Sequence, residues 1–379
     1  MEAQKGMKMK KFLAITLAIF MTVALTGCGG SQAEDASTNG TTEEAPATDA
    51  PKSEEPATDA EAPATDETAS GDKNWKIAVV PKDSTNAWFV RMEAGVKRYA
   101  EETGINAFQK GPSKTDAAQQ VQVIQDLISQ DIDALCVVPV DPAALEPVLS
   151  EAMEKGIIVI AHEGSSLESC TYDIEAFANA QYGAFIMDNL AKAMGEEGLY
   201  TTMVAHVTNA SHNEWADGGV ARAQEAYQNM TLLADEPRVE SEDNSEVAYN
   251  KAKELIKKYP ELKGIMGTSS KDAPGIARAI EELGLKDKVF VSGTGMPNEC
   301  RQFVKDGTLS YITLWDPADS GYAMCALATK ILNGEEITAP LDLGLEGYTA
   351  MTFDPANPKV LIGAGWIVID SSNIDDYDF

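Results

Sequence analysis

The chain reads as an α/β protein of two doubly wound parallel-sheet lobes joined by a hinge, and three observations predict it. Beyond residue 74, short continuous apolar runs alternate with amphipathic stretches at helical spacing, the pattern of parallel strands covered on both faces. That alternation breaks near 177 and then restarts. The stretch 75–379 holds about 305 residues, more than one hydrophobic core ordinarily organises.

The elements follow in order. The run 76–81 (KIAVVP) is a strand, and the helix after it shows Trp88, Met92, Val96 and Tyr99 on one face. A weak strand at 106–109 precedes a helix with Ala117, Val121, Ile124 and Ile128 at i, i+4, i+7 and i+11. A strand at 134–139, a helix over 142–155 and a strand at 157–161 continue the series, and an extended piece lies near 172–177. The second series has a helix near 180–195, a strand at 200–207, a helix near 214–229 and one strand near 232–240. Helix 246–258, strand 264–268, helix 273–284, strand 289–293, helix 297–306, strand 309–315 and helix 318–333 complete it. The lobes are expected to comprise 75–177 plus 317–345, and 178–316 plus 346–379. Their crossings are expected near 177–179, near 315–317 and between about 340 and 360.

The amino terminus speaks to compartment. Lys5, Lys8, Lys10 and Lys11 precede an apolar run over 12–25, the layout of a secretory signal occupying 1–27. The run is shorter than the roughly 20 residues that span a bilayer. It ends in Leu25-Thr26-Gly27-Cys28, which resembles a bacterial lipoprotein cleavage site and implies lipid on Cys28. The stretch 28–74 is then built from Ala, Thr, Pro, Ser, Asp and Glu, with Pro-Ala-Thr-Asp recurring at 46–49, 56–59 and 63–66. Such a composition buries too little apolar surface to offset its ordering entropy, so a disordered acidic linker is expected, reaching about 40 Å. The formal net charge of −30 disfavours nucleic acid and anionic ligands as partners. Cys136, Cys170, Cys300 and Cys325 show no metal-type or redox-type spacing, and their disulfide state is left open.

Open parallel sheets bind ligands beyond the carboxyl ends of their strands, so candidate residues follow from the strand positions alone. Lys82, Asn86, Trp88 and Phe89 follow the first strand, and His162 and Glu163 follow the fourth. His206 stands at the end of the strand at 200–207, and Ser211, His212 and Trp215 follow it; Ser269, Ser270 and Lys271 follow the next, and Trp315 and Asp316 the last. All three histidines and three of the five tryptophans fall in this set, so aromatic faces meet hydroxyl, amide and carboxylate groups there. That mixture suits a polyhydroxylated ligand whose C–H surface lies on rings and whose hydroxyls find polar partners. Trp88 and Trp215 also fit core positions at helix starts, Asp316 also fits a helix cap, and Lys271 also fits an exposed surface lysine. His162, Glu163, His206 and His212 further admit acid–base or metal chemistry, although no catalytic motif accompanies them.

IAVVPK at 77–82, the segment 116–145, GTGMPNE at 293–299, LWDPADSGYA at 314–323 and the terminal SNIDDYDF at 372–379 carry a family resemblance. Over 75–379 the chain resembles type I periplasmic binding proteins of the ribose-binding superfamily, within it the autoinducer-2-binding and rhamnose-binding branch. The resemblance implies an extracytoplasmic solute-binding lipoprotein that closes around a small ligand and presents it to ABC permease subunits. It implies a monomer without catalytic activity or cofactor, and a chemoreceptor as a further partner of the closed form. Lys82 matches the lysine that autoinducer-2 binders place after the first strand, and Glu163 stands at the position of their first aspartate. Ser211 and His212 replace their second aspartate and its glutamine neighbour, Thr268 and Ser270 replace a proline and an alanine, and Trp315 matches a pocket tryptophan. These differences, with the rhamnose-like Gly293–Pro297 and Asp316-Pro317, favour a deoxyhexose or pentose over autoinducer-2. The ligand-binding set is thus Lys82, Asn86, Trp88, Phe89, Glu163, Ser211, His212, Ser269, Ser270, Trp315 and Asp316.

Overall fold

The computed structural model describes residues 74–379; the expected signal segment, Cys28 and the expected linker as far as residue 73 lie outside the described residues. The first half contains β1 (Lys76–Val80), α1 (Ala87–Thr103), β2 (Asn106–Gln109), α2 (Ala117–Ile128), β3 (Ala134–Val137), α3 (Pro142–Glu154), β4 (Ile158–His162) and β5 (Tyr172–Glu175). The second contains α4 (Asn179–Met194), β6 (Glu197–Val204), α5 (Ala210–Ala226), β7 (Asn229–Leu232), β8 (Arg238–Glu240), α6 (Ser245–Lys258) and β9 (Leu262–Gly267). It continues with α7 (Asp272–Glu282), β10 (Phe290–Gly293), α8 (Pro297–Asp306) and β11 (Tyr311–Trp315). After α9 (Pro317–Leu332) come β12 (Thr352–Phe353), β13 (Val360–Ile362) and β14 (Trp366–Asp370).

The fold is α/β with two parallel sheets. The first runs β12-β13-β5-β4-β3-β1-β2, parallel throughout except for the β12–β13 pair at its edge. The second runs β10-β9-β6-β7, with β8 also paired to β6. A separate antiparallel pair joins β11 to β14. Alternation along β1 explains its unbroken apolar run. Ala78 and Val80 pack with Leu135, Val137, Ile124, Leu145 and Leu149 on one face, while Ile77 and Val79 join Met92, Val96 and Cys136 on the other, all fully buried. Asn86, Asp116, Asp141 and Asn209 start α1, α2, α3 and α5 by accepting backbone N–H bonds with their side chains. Two glycines set helix spacing. A Cβ on Gly95 of α1 would lie 1.8 Å from the Ala318 carbonyl of α9, and one on Gly183 of α4 would lie 1.9 Å from the Trp215 carbonyl of α5.

Two expectations need correction. The single strand expected near 232–240 is two, because β7 pairs with the first half of β6 and β8 with the second. Pro237, which has no N–H to give a ladder, sits at the break. The tail 346–379, expected to lie wholly with the second lobe, is divided. β13 pairs with β5 at the edge of the first sheet, and only from β14 onward does the chain pair with β11. Strands of two and three residues are too short to show an alternating pattern, which hid this edge from the sequence.

β5 carries a buried acidic pair. Asp173 and Glu175 stand two residues apart on one face of the strand, and Asp173 Oδ1 accepts the Gly164 N–H at 3.0 Å. Asp173 Oδ2 and Glu175 Oε1 have no hydrogen-bond partner outside the pair. Burial pushes both carboxyls upward, and the neighbouring Glu214 and Glu163 add to the effect. Glu214 itself accepts from Ser165 Oγ at 2.5 Å and Asn179 Nδ2 at 2.6 Å. A proton held on one carboxyl and shared with the other would satisfy both orphan oxygens. Burial likewise brings Asp272 up to about 7. Such groups stabilise the fold fully below the ordinary carboxylate value of about 4, and that contribution is lost as pH rises through the raised value. Buried His162 and His212 are held below their ordinary value and act in the opposite sense, but their contribution is complete above about pH 6.5. The carboxyl contribution is therefore lost between about pH 4 and 7 and is unopposed by the histidines above about pH 6.5, so the melting temperature is expected to fall as pH rises from 6.5 through about 7, and Asp173→Asn is expected to flatten that fall. Calorimetric scans across this range check it; an equal slope in parent and variant would contradict the shared proton.

Candidate functional site

The loops leaving the strands at their carboxyl ends line one cavity. Lys82, Asn86, Trp88 and Phe89 come from the β1–α1 turn and Glu163 from the end of β4. His212 and Trp215 come from the first turns of α5, Asp243 from beyond β8, Thr268 and Ser270 from beyond β9, Thr294 from beyond β10 and Trp315 from the end of β11. Both sheets thus contribute, as the strand-end rule for open α/β sheets requires.

A buried ion pair lies at the centre. Lys82 Nζ donates to Glu163 Oε2 at 2.6 Å, with both side chains 2–3% exposed. Ser211 Oγ, from the second half, donates to the same oxygen at 3.0 Å. Glu163 holds a left-handed backbone with φ of 58°, an uncommon conformation for a residue with a side chain and one that aims this carboxylate off the end of β4. Burial alone would raise the Glu163 carboxyl. The charge of Lys82, the adjoining His162 and His212, and the Lys82 hydrogen bond outweigh burial and hold it at about 2.

The histidines are fixed in neutral forms. His162 Nδ1 lies 2.6 Å from the Ile174 carbonyl, which can only accept, so this nitrogen carries the proton. Its Nε2 is then free to accept the Trp315 indole N–H at 3.1 Å. His212 Nδ1 accepts from the Ala205 backbone N–H at 3.3 Å, so its proton sits on Nε2, 3.9 Å from Glu163 Oε2. Burial first, then the Lys82 charge, pushes His212 down to about 4. His206 stands apart near Glu240 and does not line the cavity. Among the described residues no cluster of three or more His, Cys, Asp or Glu side chains is arranged to hold a metal ion.

Aromatic rings supply the walls. Trp88 and Trp315 meet edge to face with centroids 4.6 Å apart, and Trp215 approaches Trp315 at 5.5 Å. Phe177 backs Trp315 at 5.1 Å and Trp366 at 6.0 Å, which links the cavity wall to the segments where the chain passes between the sheets.

Of the sequence-derived set, Lys82, Asn86, Trp88, Phe89, Glu163, His212, Ser270 and Trp315 line the cavity. Three do not. Ser211 acts through Glu163, and Ser269 donates to Asp243. Asp316 forms a two-pronged pair with Arg91 at 2.9 and 2.6 Å and caps α9, so the cap reading describes it. Lys82 donates to Glu163, where the sequence suggested the ligand as its partner. The set also lacked Trp215, Thr268, Thr294 and Asp243. The first three sit at strand ends or in the first two turns of a helix, where the signal was present. Asp243 lies beyond the strand end expected near 240, and it reaches the cavity because Glu242 and Asp243 turn through left-handed φ values of 56° and 54°.

The chain belongs to the periplasmic binding protein domain family, which it matches over residues 77–336. It is 26% identical over 258 residues to the D-allose-binding periplasmic protein of Escherichia coli K12, covering 65% of this chain and 81% of that protein. With the ribose import binding protein of Bacillus subtilis it shares 24% over 279 residues, 72% of this chain and 87% of the relative. Its structure is similar to LsrB from Clostridium saccharobutylicum in complex with AI-2, with a TM-score of 0.73 at 22% identity, covering 80% of this chain and 100% of that one. A solute-binding protein from Clostridium phytofermentas with bound L-rhamnose gives the same TM-score and identity, over 80% and 98%. The fold is that of the type I periplasmic binding proteins.

Removing one member of a buried ion pair leaves the other uncompensated. Lys82→Met is expected to destabilise the protein by about 3–5 kcal/mol, and adding Glu163→Gln is expected to recover most of that loss. Urea unfolding of the two variants checks both statements.

Proposed function

We propose that the protein is the extracytoplasmic solute-binding lipoprotein of an ABC importer and that it binds a neutral monosaccharide in this cavity, a deoxyhexose or pentose. One observation carries the proposal: a cavity walled by indole and phenyl rings whose buried lysine is already neutralised by Glu163. A ligand there gains apolar contact on its ring faces and hydrogen bonds on its hydroxyls, and it meets no uncompensated cation that would attract an anion. The ribose- and allose-binding relatives and the rhamnose-bound neighbour support the same class. Autoinducer-2 is the second reading, supported by the LsrB likeness and the lysine–carboxylate pair. The two lobes close about the ligand, and the closed face meets the permease. Among the described residues no helix is long and apolar enough to cross a membrane, and retention falls to lipid on Cys28.

Titration calorimetry against pentoses, hexoses, 6-deoxyhexoses, sugar acids and autoinducer-2 tests the ligand class. Saturable binding is expected from a neutral pentose or 6-deoxyhexose, weaker binding from sugar acids, and no change of melting temperature with chelator. A panel in which no neutral sugar binds would sink the proposal, whereas autoinducer-2 binding alone would select the second reading. Cys28→Ala is expected to move the protein from the membrane fraction or to block its processing, as read by fractionation and intact mass.

A further inference from the structure

Three indoles border the cavity, and their ring N–H groups have different fates. Trp215 Nε1 donates to Asn179 Oδ1 at 2.7 Å and Trp315 Nε1 to His162 Nε2 at 3.1 Å. Trp88 Nε1 is buried with no partner; among the described residues it is the one such side-chain nitrogen or oxygen in the cavity wall. The side chain is 4% exposed, so bulk water does not compensate it. A buried N–H left unpaired costs free energy comparable to a lost hydrogen bond, and such groups in native proteins call for a specific explanation.

The ring is held in place independently of any ligand. The Trp88 backbone N–H donates to the Asn86 side chain at the start of α1, and the indole meets Trp315 edge to face. Its N–H direction is therefore set before a ligand arrives, and the donor is preorganised. Indole nitrogen donates and does not accept, so the site selects for a lone pair at this point.

Building on the sugar-binding reading above, we propose that Trp88 is a specificity-determining residue whose indole N–H donates to a ring or hydroxyl oxygen of the bound sugar. A sugar lacking that oxygen leaves the donor unpaired and is discriminated against. A sugar bearing an ammonium group there meets a second donor and is rejected. Trp88 thereby contributes a directional contact in addition to an apolar face.

Trp88→Phe retains a ring and removes the donor. Calorimetry with the tightest-binding neutral sugar is expected to show about a threefold to tenfold loss of affinity in this variant, the range of one neutral hydrogen bond. The melting temperature without sugar is expected to stay equal or rise, a response that a purely structural role would not give. Independently of any variant, one member of a monodeoxy series of that sugar is expected to bind the parent more weakly by a similar factor and to lose nothing further in Trp88→Phe. Full affinity in Trp88→Phe together with weak binding in Trp88→Ala would reduce Trp88 to an apolar face and overturn the inference, leaving the sugar-binding reading intact. Absence of a deoxy sugar that is insensitive to Trp88→Phe would overturn it as well. A parent that binds no neutral sugar would fail the functional reading, and this inference with it.

Discussion

The ion pair between Lys82 and Glu163 is the constraint on which the site depends. Lysine and carboxylate at 2–3% exposure are tolerated only because each answers the other at 2.6 Å. The pair ties the turn after β1 to the end of β4, and Ser211 brings α5 of the other half to the same oxygen. It also sets the chemistry of its surroundings, since the lysine charge helps to keep His212 neutral and Glu163 ionised. The cavity accordingly has strong local polarity without a free cation.

The two halves contribute different chemistry. The first supplies the ion pair, an amide and two aromatic residues: Lys82, Glu163, Asn86, Trp88 and Phe89. The second supplies mostly small hydroxyl groups with one carboxylate: Thr268, Ser270, Thr294 and Asp243, beside His212 and Trp215. Trp315 stands where the chain passes back from the second half to α9, in contact with Trp88 of one half and Trp215 of the other. His162 and His212, which sequence alone left open to acid–base or metal chemistry, are committed to orienting neighbours. One receives the Trp315 N–H and the other a backbone N–H, and protonating either ring nitrogen would break that bond.

Much of this was legible in the sequence because parallel strands buried on both faces leave unbroken apolar runs, as KIAVV does in β1 and ALCV in β3. Once the strands are located, their carboxyl ends name most of the cavity wall. What stayed hidden has physical reasons. β12 and β13 are too short to carry a period, and β7 and β8 divide one long strand's edge between them. Asp243 depends on a left-handed turn that its own residue type does not announce. Asp316 showed the opposite difficulty: an aspartate before proline at a strand end fits a cap and a binding group equally, and only Arg91, 225 positions away, decides between them.

Three of the chain's five tryptophans border a single cavity, and a fourth, Trp366, is joined to them through Phe177. The intrinsic ultraviolet emission of the folded protein therefore originates largely within one contiguous cluster of rings. Trp315 bears on a neutral imidazole and Trp215 on an amide, so the quenching and the wavelength of that emission follow the geometry of the site. A molecule settling between these rings would alter the environment of most of the fluorophores together, and the protein would then report occupancy by its own emission, with no need of an attached dye.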